Sequence, residues 1–264
     1  MAALCPRMHS TMARSKTKDT LAFCLGIGLI VLVLQAAGDF KGDSLVFPGV
    51  GEIGKAFLRI LGERKTYALI WTTLQHLILS MAVSTVIGIA LGMLQGMIPF
   101  VRNLMKPLMI FLRSMPMVIL IVIIMVVTDY ARVPVLASSI ILVPMIAEAA
   151  CEGCLRIEKE LIDVYRMNAN FNGRVLFQVY LPLMGGYLKQ AYVNAVGMGV
   201  KLAVSTEYLV QTKNSLGKAV YSSAYFNEYQ DIYAYALVMI LLVLAVSEGP
   251  MLIGKAFAKL KKQA

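Results

Sequence analysis

Charge is scarce in this 264-residue sequence. Asp, Glu, Lys and Arg together make up only 15% of it, against roughly a quarter in soluble globular chains. So little charge argues against a soluble enzyme and against a disordered regulator. Cysteine is scarce too. Cys5 lies in a basic tail and Cys24 in an apolar run, so the four cysteines do not make an extracellular disulfide framework. Cys151-Glu152-Gly153-Cys154 has CxxC spacing. No second CxxC and no His pair accompanies it, so the chain alone cannot close a zinc site. The cysteines read as ordinary reduced thiols. The two histidines, His9 and His76, stand apart, and no paired acid/base constellation points to catalysis. Acidic side chains number 15 against 25 basic ones, for a net charge of +10.

The rest is apolar, at 59% of residues. Mean hydropathy is +0.73. A spanning helix needs about 20 mostly apolar residues. Residues 20–38 and 66–101 carry no charge, 107–128 carry only Arg113, and 133–147 are uncharged up to Glu148. Residues 175–200 carry only Lys189, and 232–247 are uncharged up to Glu248-Gly249-Pro250. The pattern predicts an all-α, polytopic membrane protein with about six transmembrane helices. The fourth and sixth runs are short, so those helices are expected to extend into charged flanks.

The first run follows a basic start at Arg7, Arg14, Lys16 and Lys18. Its apolar core exceeds the roughly 7–15 residues of a signal peptide, and no clean A-x-A precedes Gly38. It reads as a retained anchor, with a basic tail over 1–20 and a first transmembrane helix over 21–38. An external segment over 39–65 follows, then a membrane core over 66–255 and a second basic tail over 256–264. Six spans put both termini on one side. With that side inside, the inner segments hold 15 basic residues and the outer ones 8. The positive-inside rule therefore favours cytoplasmic termini. The basic excess reads as topology and contact with anionic lipid, not nucleic-acid binding.

Gly49-Val-Gly-Glu-Ile-Gly54-Lys55 matches most of a phosphate-binding loop. Ala56 stands where the magnesium-holding hydroxyl belongs, and Phe47-Pro48 precedes it in place of a long strand. As a helix, the segment sets Val50, Ile53, Phe57, Leu58, Ile60 and Leu61 against Glu52, Lys55 and Arg59. That predicts an amphipathic helix on the outer membrane surface.

Polar side chains inside a span are functional candidates. Thr72, His76 and Ser80 share one stripe, suited to a cavity or to helix–helix hydrogen bonds. Arg113 near the inner interface either snorkels or lines the path, and Pro116 loosens its helix. Lys201 near the outer end of the fifth span either faces an anionic substrate, pairs with a neighbouring helix or snorkels. Glu207, at i+6, does not share its face. Gly88 with Gly92, and Gly197 with Gly199, read as close helix packing.

The longest inner loop, 151–178, is not a polar linker. Leu161, Ile162, Tyr165 and Asn168-Ala169 recur at 3–4 spacing around Asp163 and Arg166, and Asn170-Phe-Asn-Gly173 makes a turn. An amphipathic helix projected into the cytoplasm needs a partner groove or the headgroup layer. Here the segment resembles the EAA loop of ABC-importer permeases. Asp163-Val164-Tyr165 stands at the triplet, Ala169 at the glycine and Leu181-Pro182 at the Leu-Pro. Glu148-Ala149-Ala150 lies a loop too early. Further resemblances are Phe47-Pro48 with its helix, Arg113-Ser-Met-Pro116, and Lys201 through Glu207 followed by Ser215-Leu216-Gly217. They cover roughly 45 to 260. The similarity is nearest to the nitrate, sulfonate, taurine and pyrimidine-precursor importers, although Met117 replaces a second Pro and the triplet lacks both alanines.

The resemblance implies a type I ABC-importer permease fold in a bacterial inner membrane. It implies an importer subunit that forms the translocation path for a small organic anion or a heteroaromatic vitamin precursor. The coupling helix would use Leu161, Ile162, Asp163, Val164, Tyr165, Ala169, Gly173 and Pro182. The path candidates are Thr72, His76, Ser80, Arg113, Pro116, Lys201 and Glu207. Implied partners are two ATP-binding subunits, which carry the ATP and magnesium, an external solute-binding protein and a second permease copy. The chain itself would be neither an enzyme nor a binder of a cofactor or metal. A self-sufficient carrier or channel is the rival reading, and it leaves the loop helix unexplained.

Overall fold

The computed structural model describes residues 25–26, 28–29, 48–157 and 176–263, with backbone alone over 176–177 and 248–263. The predicted first span over 21–38, all but its four described residues, lies outside this set. So do the loop residues Leu161, Ile162, Asp163, Val164, Tyr165, Ala169 and Gly173.

Among the described residues the chain is helical. In order come α1 (Val50–Gly62), α2 (Arg64–Met97), α3 (Pro99–Ser114), α4 (Met117–Val127) and α5 (Val133–Leu155). A π-helical turn (Leu176–Tyr180) and a single helical turn (Leu181–Leu183) lead into α6 (Gly185–Val210), α7 (Leu216–Tyr225) and α8 (Tyr229–Gln263). Three helices are long and apolar enough to cross a membrane: α2, α5 and the first part of α8. The bent pair α3–α4 makes a fourth if it is one span. The 26 residues of α6 give about 39 Å at 1.5 Å per residue, enough for a crossing, although this helix is more polar.

The fourth run continues through Glu148 to Leu155 as α5, and the sixth runs on to Gln263 as α8, both beyond their uncharged cores. The third run differs from its expectation. It is not one helix but two, meeting at a bend of 100°. The cause is Pro116. A residue before proline is pushed out of the α region, and Met115 is extended at φ −67°, ψ 126°. Pro116 therefore ends one helix and opens the next, where a merely loosened helix was expected.

The centre is the contact of α2 with α5. Lipid gives apolar helices little reason to associate, so small residues that let backbones approach do the work. A Cβ added at Gly88 would stand 2.8 Å from Ile146 Cβ, and one at Gly92 2.3 Å from the Ala147 carbonyl oxygen. At Gly96 it would meet Cys154 Cβ at 2.4 Å. One turn earlier on α2, serines take over. The Ser84 hydroxyl donates to the Ser139 carbonyl at 3.3 Å, and the Ser139 hydroxyl donates to the Ser80 carbonyl at 3.4 Å. Cys151 and Cys154 are free and buried in this region. In α6, Gly199 packs against Leu77, whereas a Cβ added at Gly197 would meet nothing within 4 Å among the described residues.

The glycine-rich segment at 49–55 is helix, with no loop to cradle a phosphate. Its apolar face does more than meet lipid. Ala56 and Ile60 are buried in a cluster with Leu69, Leu77, Val204, Leu216, Ala234 and Val238, while Leu58 stays 70% exposed. Arg59 pairs with Asp231 at the start of α8. That hydrogen bond, and then the Coulomb attraction, raise the Arg59 guanidinium pKa above its usual value.

Candidate translocation site

Glu207 is the most deeply buried charged side chain described, at 0% exposure near the end of α6. A carboxylate in a membrane protein's interior needs every lone pair answered. The Thr73 hydroxyl donates to Oε2 at 2.8 Å, and the Gly217 backbone N–H donates to the same oxygen at 3.2 Å. His76 Nδ1 lies 2.7 Å from Oε1. Thr73 is itself held, since its hydroxyl accepts from the Leu216 N–H at 3.1 Å. One carboxylate thus ties together α2, α6 and the first turn of α7.

The local sequence builds this knot. Gln211, at φ 54°, ends α6 in the left-handed region, and Asn214 adopts φ 55°. Ser215 then caps α7: its hydroxyl accepts from the Lys218 N–H at 3.2 Å and donates to the Thr212 carbonyl at 2.7 Å. The cap presents the free N–H groups of the first turn to Glu207 and Thr73. Gly217 is required sterically. A Cβ there would stand 2.5 Å from Glu207 Cβ, from the Tyr208 nitrogen and from the Val204 carbonyl oxygen.

The opposite face of α6 is different. Tyr187, Gln190, Asn194, Met198, Lys201 and Ser205 are exposed and recur at spacings of three and four. They form one stripe along nearly the whole helix. Lys201 has no ion-pair partner among the described residues. A stripe of Gln, Asn, Lys and Ser facing acyl chains would be expensive. By contrast, Val118, Ile119, Val122, Ile123, Val126 and Val127 of α4 are exposed and wholly apolar, which suits lipid.

The Tyr187–Asn194 half of the stripe borders a cavity of about 590 Å³, lined also by Arg113, Met145, Glu148 and Glu152. Arg113 and Glu148 form an ion pair at 2.5 Å there, both about half exposed. A second cavity, of about 810 Å³, reaches His76 between Trp71, Gln75, Ala131 and Arg132.

These positions sort the sequence candidates. His76 and Glu207 come together. Lys201 and Glu207 lie on different faces of α6, about 120° apart, as their i+6 spacing requires. Ser80 is buried at the α2–α5 contact, and its hydroxyl donates back to the Leu77 carbonyl at 2.9 Å. Thr72 does likewise to Ala68 at 3.1 Å. Arg113 has a partner in Glu148. Pro116 sits at the bend, and Pro182 is exposed in the turn before α6. Sequence reasoning missed Thr73. The available signal was the heptad Thr66, Thr73, Ser80 on α2, all buried. It also missed the Tyr192 hydroxyl donating to Thr85 at 2.7 Å, which crosses from α6 to α2.

Buried polar knots, glycine-packed helices and a polar stripe beside apolar ones define a polytopic helical membrane protein. The comparisons name its class. Over residues 84–261 the sequence matches the family of binding-protein-dependent transport system inner membrane components, and the chain belongs to that family. A search among curated protein sequences found no significant match. Among solved structures, the chain is similar to one from the MetNI methionine ABC transporter in inward-facing conformations. The two share 21% identity and a TM-score of 0.61, covering 71% of this chain and 94% of that one. The fold is that of a type I ABC-importer permease, and the protein is an ABC-importer transmembrane subunit of the inner membrane.

Proposed function

We propose that two copies of this chain face each other across a water-filled path lined by α6, and that the path carries a small organic anion. The observation that supports this reading is the exposed stripe Gln190, Asn194, Met198, Lys201 and Ser205. Such a face on a membrane helix calls for water or a polar partner, not lipid. Lys201, toward the C-terminal end of it and without an ion-pair partner among the described residues, suits an anionic cargo. A heteroaromatic vitamin precursor is the second class the resemblance suggests, with Tyr187 and Asn194 as its contacts.

Movement comes from outside the chain. ATP is hydrolysed, with magnesium, on two partner subunits that grip the helix at Leu161, Ile162, Asp163, Val164 and Tyr165. Ala169, Gly173 and Pro182 set the helix's turn and exit. Closure of the ATPases biases two packings of the paired permeases. The Arg113–Glu148 pair closes the inner end of the cavity in one of them. An external solute-binding protein delivers cargo to the other end, and both chain termini are cytoplasmic.

The test is co-purification of the detergent-solubilised chain with candidate ATPase subunits, comparing wild type with the double variant Ile162→Asp plus Tyr165→Asp. The ATPase should accompany wild type and be lost from a double variant that still folds. If the chain purifies alone and transports in liposomes without ATP, the self-sufficient carrier replaces this reading.

A further inference from the structure

No residue of α3 is buried. At about 100° per residue, its sequence still sorts into two faces. Phe100, Leu104, Leu108 and Phe111 form one stripe, and all four are exposed. Arg102, Lys106 and Arg113 form another, whose centre lies about 180° away. The helix has no acidic residue. Arg113 is answered by Glu148, whereas Arg102 and Lys106 have no ion-pair partner among the described residues. A second observation is the helix's placement. The 34 residues of α2 make a helix about 51 Å long, more than enough to cross a hydrocarbon core of about 30 Å. α3 starts at Pro99, just past the end of α2 at Met97, and so begins at a membrane surface. It meets the wholly apolar α4 at 100°. With α4 in the hydrocarbon, a helix at about right angles to it runs along that surface.

We infer that α3 is an in-plane helix seated in the leaflet where α2 ends, and that it holds anionic phospholipid there. The Phe/Leu stripe sinks among the acyl chains, and Arg102 and Lys106 take the headgroup phosphates. Charge selects this occupant. An apolar face set against a basic one, with no acid between them, suits a negatively charged lipid surface. A second copy or another protein laid on the stripe would leave the two cations on the far side unanswered, whereas a lipid layer answers both faces at once. The same helix carries Arg113 to Glu148 at the 590 Å³ cavity, so the lipid layer fixes one side of that ion pair. The inference needs only that the chain lies in a membrane, and not the path or the cargo proposed above.

The experiment uses the full-length chain with its single tryptophan removed by Trp71→Phe, reconstituted into vesicles of phosphatidylcholine and phosphatidylglycerol. One of the two lipids carries bromine on its acyl chains, which quenches a tryptophan in contact with it. Phe100→Trp, Leu104→Trp and Phe111→Trp report on α3 one at a time, and Val122→Trp on α4 is the reference. All three α3 reporters should be quenched, and most strongly by bromine at the same shallow chain position. A helix crossing the leaflet would instead separate positions 100 and 111 by about 16 Å in depth. The Leu104→Trp reporter should favour brominated phosphatidylglycerol over phosphatidylcholine about fivefold or more, the factor expected of one cation at a lipid surface. The Val122→Trp reporter should show no preference. Arg102→Gln plus Lys106→Gln should abolish the preference and leave the total quenching unchanged. Three results overturn the proposal: α3 reporters that stay unquenched while the reference is quenched, depth that increases steadily from 100 to 111, or equal quenching by the two lipids before the cations are removed. The first would mean that protein or water covers the stripe. A quenched reference shows that the chain is inserted, so each failure belongs to α3 and leaves the transport reading standing.

Discussion

Removing the Glu207 carboxylate should be the most damaging single truncation in the described core. Glu207→Ala leaves the Thr73 hydroxyl and the Gly217 N–H without their acceptor and His76 Nδ1 without its partner. Each unanswered buried donor costs about 1–3 kcal/mol. His76 is 15% exposed and borders a cavity, so water relieves part of its loss. Interhelical hydrogen bonds in membranes average only about 0.6 kcal/mol, because the unfolded chain in the membrane finds other partners. A carboxyl group shared by three partners lies well above that average. The expected loss is therefore about 3–4 kcal/mol, the low end of the sum. Glu207→Gln keeps the volume and one acceptor oxygen but turns an amide toward one donor, for about 1–2 kcal/mol. Reversible unfolding in mixed micelles, titrated with dodecyl sulfate, measures both. Coupling between Glu207→Ala and His76→Ala in a double-mutant cycle should reach about 1 kcal/mol or more. A Glu207→Ala protein within about 1 kcal/mol of wild type, with no coupling to His76, would refute the knot as a structural tie.

Other consequences are as direct. Gly217→Ala should destabilise by about 2–3 kcal/mol through overpacking, and Gly92→Ala by a similar amount. Gly197→Ala should be neutral or gain up to about 1 kcal/mol from helix propensity, as the same unfolding titration would report. Arg113→Ala and Glu148→Ala should couple by no more than about 1 kcal/mol in stability, since both partners are half exposed. A larger coupling would show a pair more desolvated than this structure has it. With Cys5 and Cys24 replaced by Ser, the buried Cys151 and Cys154 should resist maleimide in the folded protein and label fully in dodecyl sulfate. Rapid labelling before unfolding would contradict the tight α2–α5 contact.

Much of this fold was legible in the sequence because its main signals are one-dimensional. Uncharged runs mark helices that lie in lipid, and Gly88 and Gly92 at i, i+4 mark a close backbone approach. The i+6 spacing of Lys201 and Glu207 already placed them on different faces of α6. What was not legible depends on partners far apart in sequence. His76 meets Glu207 across 131 positions, and neither residue carries a local sign of the other. The break at Pro116 was readable as a weakness but not as a bend of 100°, since neighbouring helices decide whether a proline kinks or ends a helix. The helix α1 was read correctly, but lipid and the α8 side of the core compete for its apolar face, and Leu58 of that face stays exposed. Only packing shows that Ala56 and Ile60 are covered by protein.

The central claim is that α6 presents its polar stripe to water. Single cysteines introduced at Gln190, Asn194, Lys201 and Ser205 in a background with Cys5, Cys24, Cys151 and Cys154 all replaced, each tested with a membrane-impermeant thiol reagent applied from either side of the membrane, address it most directly. The stripe positions should react, and cysteines at Val122 and Val126 of α4 should not. Unreactive stripe positions alongside labelled α4 positions would mean that α6 faces lipid or a dry partner, and that the path lies elsewhere.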